Sequence, residues 1–176
     1  MSSKKKIIKL KLGRLPRKIA DKIERVVYEL YGVSTGDLIP EDLRYTCFED
    51  LCIVYAHNPR VPSTLSVTEI TEIFGGRWIA LYVKGTLAPS IPLVKEIYKR
   101  TGLRAAIVVS EEGVKAFLYG NDVLPESVIE LVPPSKGLYA VIDYYDKDVV
   151  GFAKWNPKKR VYENIYDIGI FIRLLG

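Results

Sequence analysis

Lysine alternates with isoleucine or leucine over residues 4–12, which puts Lys5, Lys9 and Lys11 on one side and Ile8, Leu10 and Leu12 on the other, the period of a half-buried β-strand. The period then lengthens. Ile19, Ile23, Val26, Val27 and Leu30 recur at helical spacing, while Lys18, Asp21, Lys22, Glu24, Arg25 and Glu29 fill the other face. Pro16 suits a first helical turn and Gly32 the position past the last, so the pattern predicts a helix from about Pro16 to Tyr31 that packs on a sheet. Residues 44–56 read as one strand ending at the turn His57-Asn58-Pro59-Arg60-Val61-Pro62. The β-branched stretch Val67 to Phe74 turns at Gly75-Gly76 into Arg77 to Val83, a predicted hairpin. A second helix is predicted after Pro89, from about Ile91 to Arg100, stopped by Thr101-Gly102. This first part reads as an α+β domain with helices on a small, mostly antiparallel sheet.

From Leu103 onward the texture changes to short apolar runs and glycine turns. Ala105 to Ser110 and Val114 to Tyr119 flank Glu111-Glu112-Gly113 and read as a hairpin. A short helical turn is predicted around Pro125. Gly137 to Tyr144 and Val149 to Lys154 read as strands about the turn Asp146-Lys147-Asp148, and Ile165 to Leu175 as a closing strand. Short strands at this spacing suggest a small mixed β-barrel. The division is therefore 1–103 and 104–176. With no Gly/Ser-rich linker between them the two parts should pack as a fixed unit, and the second is expected to fold alone.

At 176 residues and 48% hydrophobic, the chain can bury a real core, and disorder is excluded. No apolar run approaches the ~18 to 20 residues that span a bilayer, and the N-terminal alternation does not resemble a signal peptide, so a cytoplasmic protein is expected. Net charge is +5, and its distribution is uneven: residues 1–103 hold 17 basic and 11 acidic groups, residues 104–176 hold 9 and 10. A basic surface is drawn to polyanions, of which RNA is the commonest in cytosol. The absence of Gln, the scarcity of His and Met, and the abundance of Ile, Val, Lys, Glu and Tyr fit a thermophile. Cys47 and Cys52, five apart on what reads as one strand, face opposite sides and are read as buried free thiols, with an intracellular disulfide as the alternative.

Catalytic constellations are absent. There is no phosphate loop, no dinucleotide turn and no nucleophile elbow, and His57 is the only imidazole. Two thiols and one distant imidazole do not complete a zinc site. Asp143, Asp146 and Asp148 read as a solvated turn rather than a cation site. A non-enzymatic protein without metal, cofactor or small-molecule substrate is expected.

The chemistry that does stand out is Lys154-Trp155-Asn156-Pro157-Lys158-Lys159-Arg160, four basic groups in seven positions without an acid. Phosphates take flexible cations and bases take flat apolar faces, which Trp155 and Tyr162 could supply. The alternative is a solvated hairpin tip with Trp155 turned into the core. A second basic stretch comprises Lys4, Lys5, Lys6, Lys9 and Lys11, followed by Arg14, Arg17 and Lys18. A lysine-rich edge strand also deters aggregation, and that reading is preferred for it. Gly120 and Gly151 are assigned to turns.

Phe117-Leu118-Tyr119-Gly120-Asn121, followed by Asp122-Val123-Leu124, resembles the opening of a PUA domain, and more narrowly the Nip-seven family of ribosome-biogenesis factors. Gly137-Leu138-Tyr139-Ala140-Val141 through Val150-Gly151-Phe152-Ala153 resembles that family's later hairpin, and Asp167-Ile168-Gly169 its closing strand. In the first part the likeness rests only on Phe74-Gly75-Gly76 and Leu87-Ala88-Pro89. Ala153 departs from the pattern, standing where the family has a second glycine. The resemblance implies a non-catalytic two-domain protein that binds RNA through the PUA domain and ribosome-assembly or RNA-processing proteins through the N-terminal part. Its setting would be large-subunit pre-ribosomal RNA processing. Two other readings stay open: a scaffold using the PUA fold as a docking surface, and the RNA-targeting subunit of a modifying enzyme.

Overall fold

The computed structural model describes residues 10–57, 76–133, 137–170 and 173. Five antiparallel strands, β1 (Leu10–Arg14), β2 (Leu43–Phe48), β3 (Leu51–Ala56), β4 (Arg77–Val83) and β5 (Thr86–Pro89), lie side by side in chain order. The predicted strand at 67–74 and the lysines of residues 4–9 fall outside the described residues. Helix α1 (Arg17–Tyr31) buries Ile23, Val27 and Leu30 as predicted, whereas Ile19 stays 37% exposed. Pro16 is the N-cap rather than the first helical residue, and Gly32, at φ +70°, closes the helix with its N–H on the Tyr28 carbonyl. Helix α2 (Ile91–Thr101) starts where predicted because Ser90 caps it: the hydroxyl oxygen accepts from the Leu93 N–H at 3.2 Å and its proton goes to the Trp78 carbonyl.

Residues 44–56 are two strands, not one. The chain reverses at Glu49-Asp50, with Glu49 in the left-handed region at φ +52°, and Cys47 then pairs directly with Cys52 across β2 and β3. Reversal returns the second thiol to the face of the first, and the two form a disulfide. The free-thiol reading is thereby overturned: it depended on unbroken alternation.

The second sheet has the order β10-β9-β8-β6-β7, from β6 (Ala106–Val109), β7 (Val128–Val132), β8 (Leu138–Asp143), β9 (Val149–Asn156) and β10 (Val161–Asp167). The β6–β8 pair is parallel and the rest antiparallel, so the sheet is mixed, as expected. Among the described residues it does not close into a continuous barrel. Edge strand β10 instead meets the segment before β7 through one residue pair, Val123 and Tyr162, which exchange both backbone hydrogen bonds at 2.9 Å.

Residues 114–119, predicted as a strand, belong to helix α3 (Glu111–Leu118). Ser110 caps it by accepting from the Gly113 N–H, acidic side chains occupy its first turn, and Val114 and Phe117 supply a buried i, i+3 pair. Gly113 is required by packing: a Cβ there would come within 2.6 Å of Val109 and 2.7 Å of Ser127. A 3-10 turn does occur at Pro125–Ser127. The last strand begins at Val161 and ends at Asp167, where the chain turns at Ile168-Gly169 instead of extending to Leu175.

Both faces of the second sheet are covered at its central strands, whereas edge strand β7 exposes Ile129, Glu130 and Leu131. On one, Ile107, Val109, Tyr139, Val141 and Val150 pack with Val114 and Phe117 of α3. On the other, Ala140, Ile142, Phe152, Ile165 and Tyr166 belong to one core with Leu93, Ile97 and Ile79 of the N-terminal part. Tyr166 stacks on Phe152 and donates its hydroxyl to the Pro89 carbonyl at 2.6 Å. Ala153 is fully buried in β9. Gly151 lies inside β9 and not in a turn; a Cβ there would sit 2.4 Å from the Tyr166 carbonyl oxygen and 2.7 Å from Phe117. Since the closest atom is backbone, Gly151→Ala should cost about 2–3 kcal/mol of unfolding free energy, measured as a lower urea midpoint at unchanged slope.

Candidate nucleic-acid interface

The basic stretch 154–160 is the β9–β10 hairpin tip. Asn156 builds it: its Oδ1 accepts from the N–H groups of Lys158 (2.9 Å) and Lys159 (3.1 Å), and its carbonyl accepts from the Arg160 N–H. Arg160 holds the left-handed conformation at φ +57° that lets β10 begin. Lys154, Lys158, Lys159 and Arg160 are all exposed.

The cluster is not free of acid in space. Glu163 lies opposite Lys154 in the ladder and binds the Lys159 ammonium at 2.8 Å, with Asn156 Nδ2 donating to the same carboxylate. Hydrogen bonding to Lys159 holds the Glu163 carboxyl below its ordinary range, and the same contact holds the Lys159 ammonium above its own. Lys154, Lys158 and Arg160 form no ion pair among the described residues, but Lys154 acts on the Glu163 carboxylate from across the ladder, which leaves Lys158 and Arg160 as the tip's uncompensated cations.

Trp155 and Tyr162 are also brought together. They face each other across the ladder with ring centroids 4.8 Å apart, and Tyr162 meets the edge of buried Tyr139. Both are half-buried, so the pair closes the end of the α3-side core and leaves only part of its surface to a ligand.

A buried polar cluster that the sequence reading passed over fixes the loop from Tyr119 to Asp122. Asn164, 2% exposed, donates its side-chain amide to the Phe117 carbonyl (2.9 Å) and to Asp167 (3.0 Å), and its N–H to Asp122. Asp167, fully buried, accepts from the Gly169 N–H and from the Arg173 guanidinium, which also donates to the Leu118 carbonyl. Gly120, at φ +91°, turns beside Arg173, in keeping with its turn reading.

Of the N-terminal lysines, Lys11 is described and exposed; Lys4, Lys5, Lys6 and Lys9 lie outside the described residues. Arg14 faces Asp42 at 3.6 Å and Arg17 pairs with Asp21 at 2.9 Å. Asp143 and Asp146 accept backbone N–H groups within their own turn, and Asp148 pairs with Lys95 of α2. Among the described residues no His/Cys/Asp/Glu group is arranged to hold a metal, and no helix is long and apolar enough to cross a membrane.

Asn164→Ala would remove one hydrogen bond from the Phe117 carbonyl, which keeps the Gly120 N–H, and one from the Asp167 carboxylate, which keeps Arg173. It should cost about 2–3 kcal/mol, read from denaturant unfolding, and should speed amide hydrogen exchange across residues 119–122.

Residues 105–176 match the family model described as UPF0113 PUA domain. Among curated proteins, none matches the chain. The chain is similar in structure to a conserved PUA domain protein from Thermoplasma acidophilum, at 17% identity and a TM-score of 0.60, covering 94% of this chain and 100% of that one. It is likewise similar to a hypothetical protein from the hyperthermophilic archaeon Pyrococcus horikoshii OT3, at 12% identity and 0.61, covering 90% and 93%. A third neighbour is a PUA domain from Aeropyrum pernix K1, solved as a tartrate complex, at 13% identity and 0.51, covering 92% and 86%. The protein therefore has an α/β N-terminal part followed by a C-terminal unit of PUA fold, the latter similar to the UPF0113 PUA domain.

Proposed function

We propose that the protein is a non-catalytic RNA-binding factor of the cytoplasm that holds single-stranded segments of pre-ribosomal RNA during large-subunit assembly, with the C-terminal tip as its RNA contact. The observation that carries the RNA reading is the pair Lys158 and Arg160, held on an Asn156-built turn beside the Trp155–Tyr162 rings of a PUA fold. Cations outside ion pairs keep their full charge for phosphate, and a turn already ordered loses little entropy on binding. The ribosomal setting, and assembly-protein contacts through the N-terminal part, rest on the likeness of segments 117–124, 137–153 and 167–169 to the Nip-seven family. A docking scaffold draws support from the Lys159–Glu163 pair, which removes one cation from the tip; the two unpaired cations favour RNA.

In a salt titration against short single-stranded RNA, Lys158→Ala/Arg160→Ala should bind more weakly and flatten the log–log slope by about 1.4 units; an unchanged slope in a folded variant refutes this tip as the contact. Glu163→Gln should do the opposite. Releasing Lys159 adds one available cation, so the slope should steepen by about 0.7 units and affinity at low salt should rise.

A further inference from the structure

An apolar slot of about 400 Å³ opens between the start of α1 and the first sheet. Its floor is the Cys47–Cys52 disulfide with Val54, Ile19 stands on one side, and Tyr82 on the other. The helix leaves this end of the sheet uncovered, so Tyr82 remains 44% exposed. Cations ring the slot. Lys22 lines it, Lys18 lies one turn earlier on α1, and Lys11 faces Cys47 in the β1–β2 ladder, which puts its side chain on the same face of the sheet. None of the three is ion-paired among the described residues, and no carboxylate lines the slot.

The slot also leads somewhere. Cys52 and Tyr82 form part of the wall of a second cleft, of about 720 Å³, between the first sheet and the C-terminal unit, whose lining also holds Gly120 and Arg173 and where Lys84 donates to the Asn164 carbonyl. Beside Gly120 is Tyr119, 81% exposed. Glu49 and Asp50 stand on the sheet side of that cleft and Arg173 is already paired with Asp167, so a polyanion crossing it must keep to the side of Lys84.

We propose that the slot takes an unpaired base of the RNA strand held by the C-terminal tip, with Tyr82 as its stacking surface and Lys11, Lys18 and Lys22 meeting the flanking phosphates. The inference rests on the RNA reading above. Apolar lining with cations only at the rim suits a base inside and phosphates outside, and the near absence of polar lining makes the site tolerant of base identity. An acidic protein segment would meet the same lysines, but gains nothing from the continuous path across Tyr82 towards Gly120.

The test uses the full chain and labelled oligouridylates of about 4 and about 16 nucleotides, the range a single binding fold covers. Tyr82→Ala should weaken the longer RNA roughly tenfold or more, leave the shorter one unchanged, and be rescued by Tyr82→Phe; Lys18→Ala/Lys22→Ala should flatten the salt slope for the longer RNA alone. Equal thermal melts confirm that each variant folds. If the longer RNA binds all slot variants as it binds the parent protein, while Lys158→Ala/Arg160→Ala still weakens it, the slot assignment fails and the tip assignment stands. No binding of either RNA by the parent protein overturns both. Loss of binding to a labelled Asp/Glu-rich peptide in Tyr82→Ala, with RNA binding intact, makes the slot a protein site and likewise overturns the assignment.

Discussion

The central strands of the second sheet have no solvent face, and most of the architecture follows from that. A strand buried on both sides cannot alternate polar with apolar, which is why Ala106 to Val109 and Leu138 to Ile142 are continuous apolar runs. One face is covered by α3, capped by Ser110 and brought close by Gly113. The other is covered by the N-terminal part, with Tyr166 reaching Pro89 through the shared core. The hydrophobic surface of that second face, Phe152, Ile165 and Tyr166 included, is thus shared between the two halves.

Regular periodicity was legible. Helix α1 declared itself through Ile23, Val27 and Leu30 with a terminal glycine, and β8 and β9 through a polar turn between apolar runs. Features made by a change of direction were not. Glu49 and Asp50 carry no glycine, so the reversal that joins Cys47 to Cys52 left no turn signature in the chain. Residues 111–118 combine a glycine and a short apolar set that suits either a strand or a helix; what decides is the Ser110 cap, a signal present in the sequence and passed over. Barrel closure depended on how the segment before β7 approaches β10, and the one pair formed there, Val123 with Tyr162, is not a local property of either segment.

The candidate interface shows the same division between composition and geometry. Counting residues 154–160 correctly finds four cations, but Glu163, three positions beyond, returns across the ladder to take one of them. Asn156, assigned no role of its own within the basic stretch, proves to be the residue that orders the tip, and the equally unassuming Asn164 orders the loop around Gly120. Short amides of this kind are hard to weigh in a sequence because their partners are backbone atoms whose positions only the fold defines.

A core that runs through both halves leaves no hinge. Interfaces between mobile domains are smaller and more polar, and allow closure around a ligand; here closure would require pulling Phe152 and Tyr166 out of packing with Leu93 and Ile97. Any partner must accept the surface as it finds it. Association is then governed by encounter and orientation, with the uneven charge of the two halves setting the approach, and complexes should be told apart by how long they last rather than by how slowly they form.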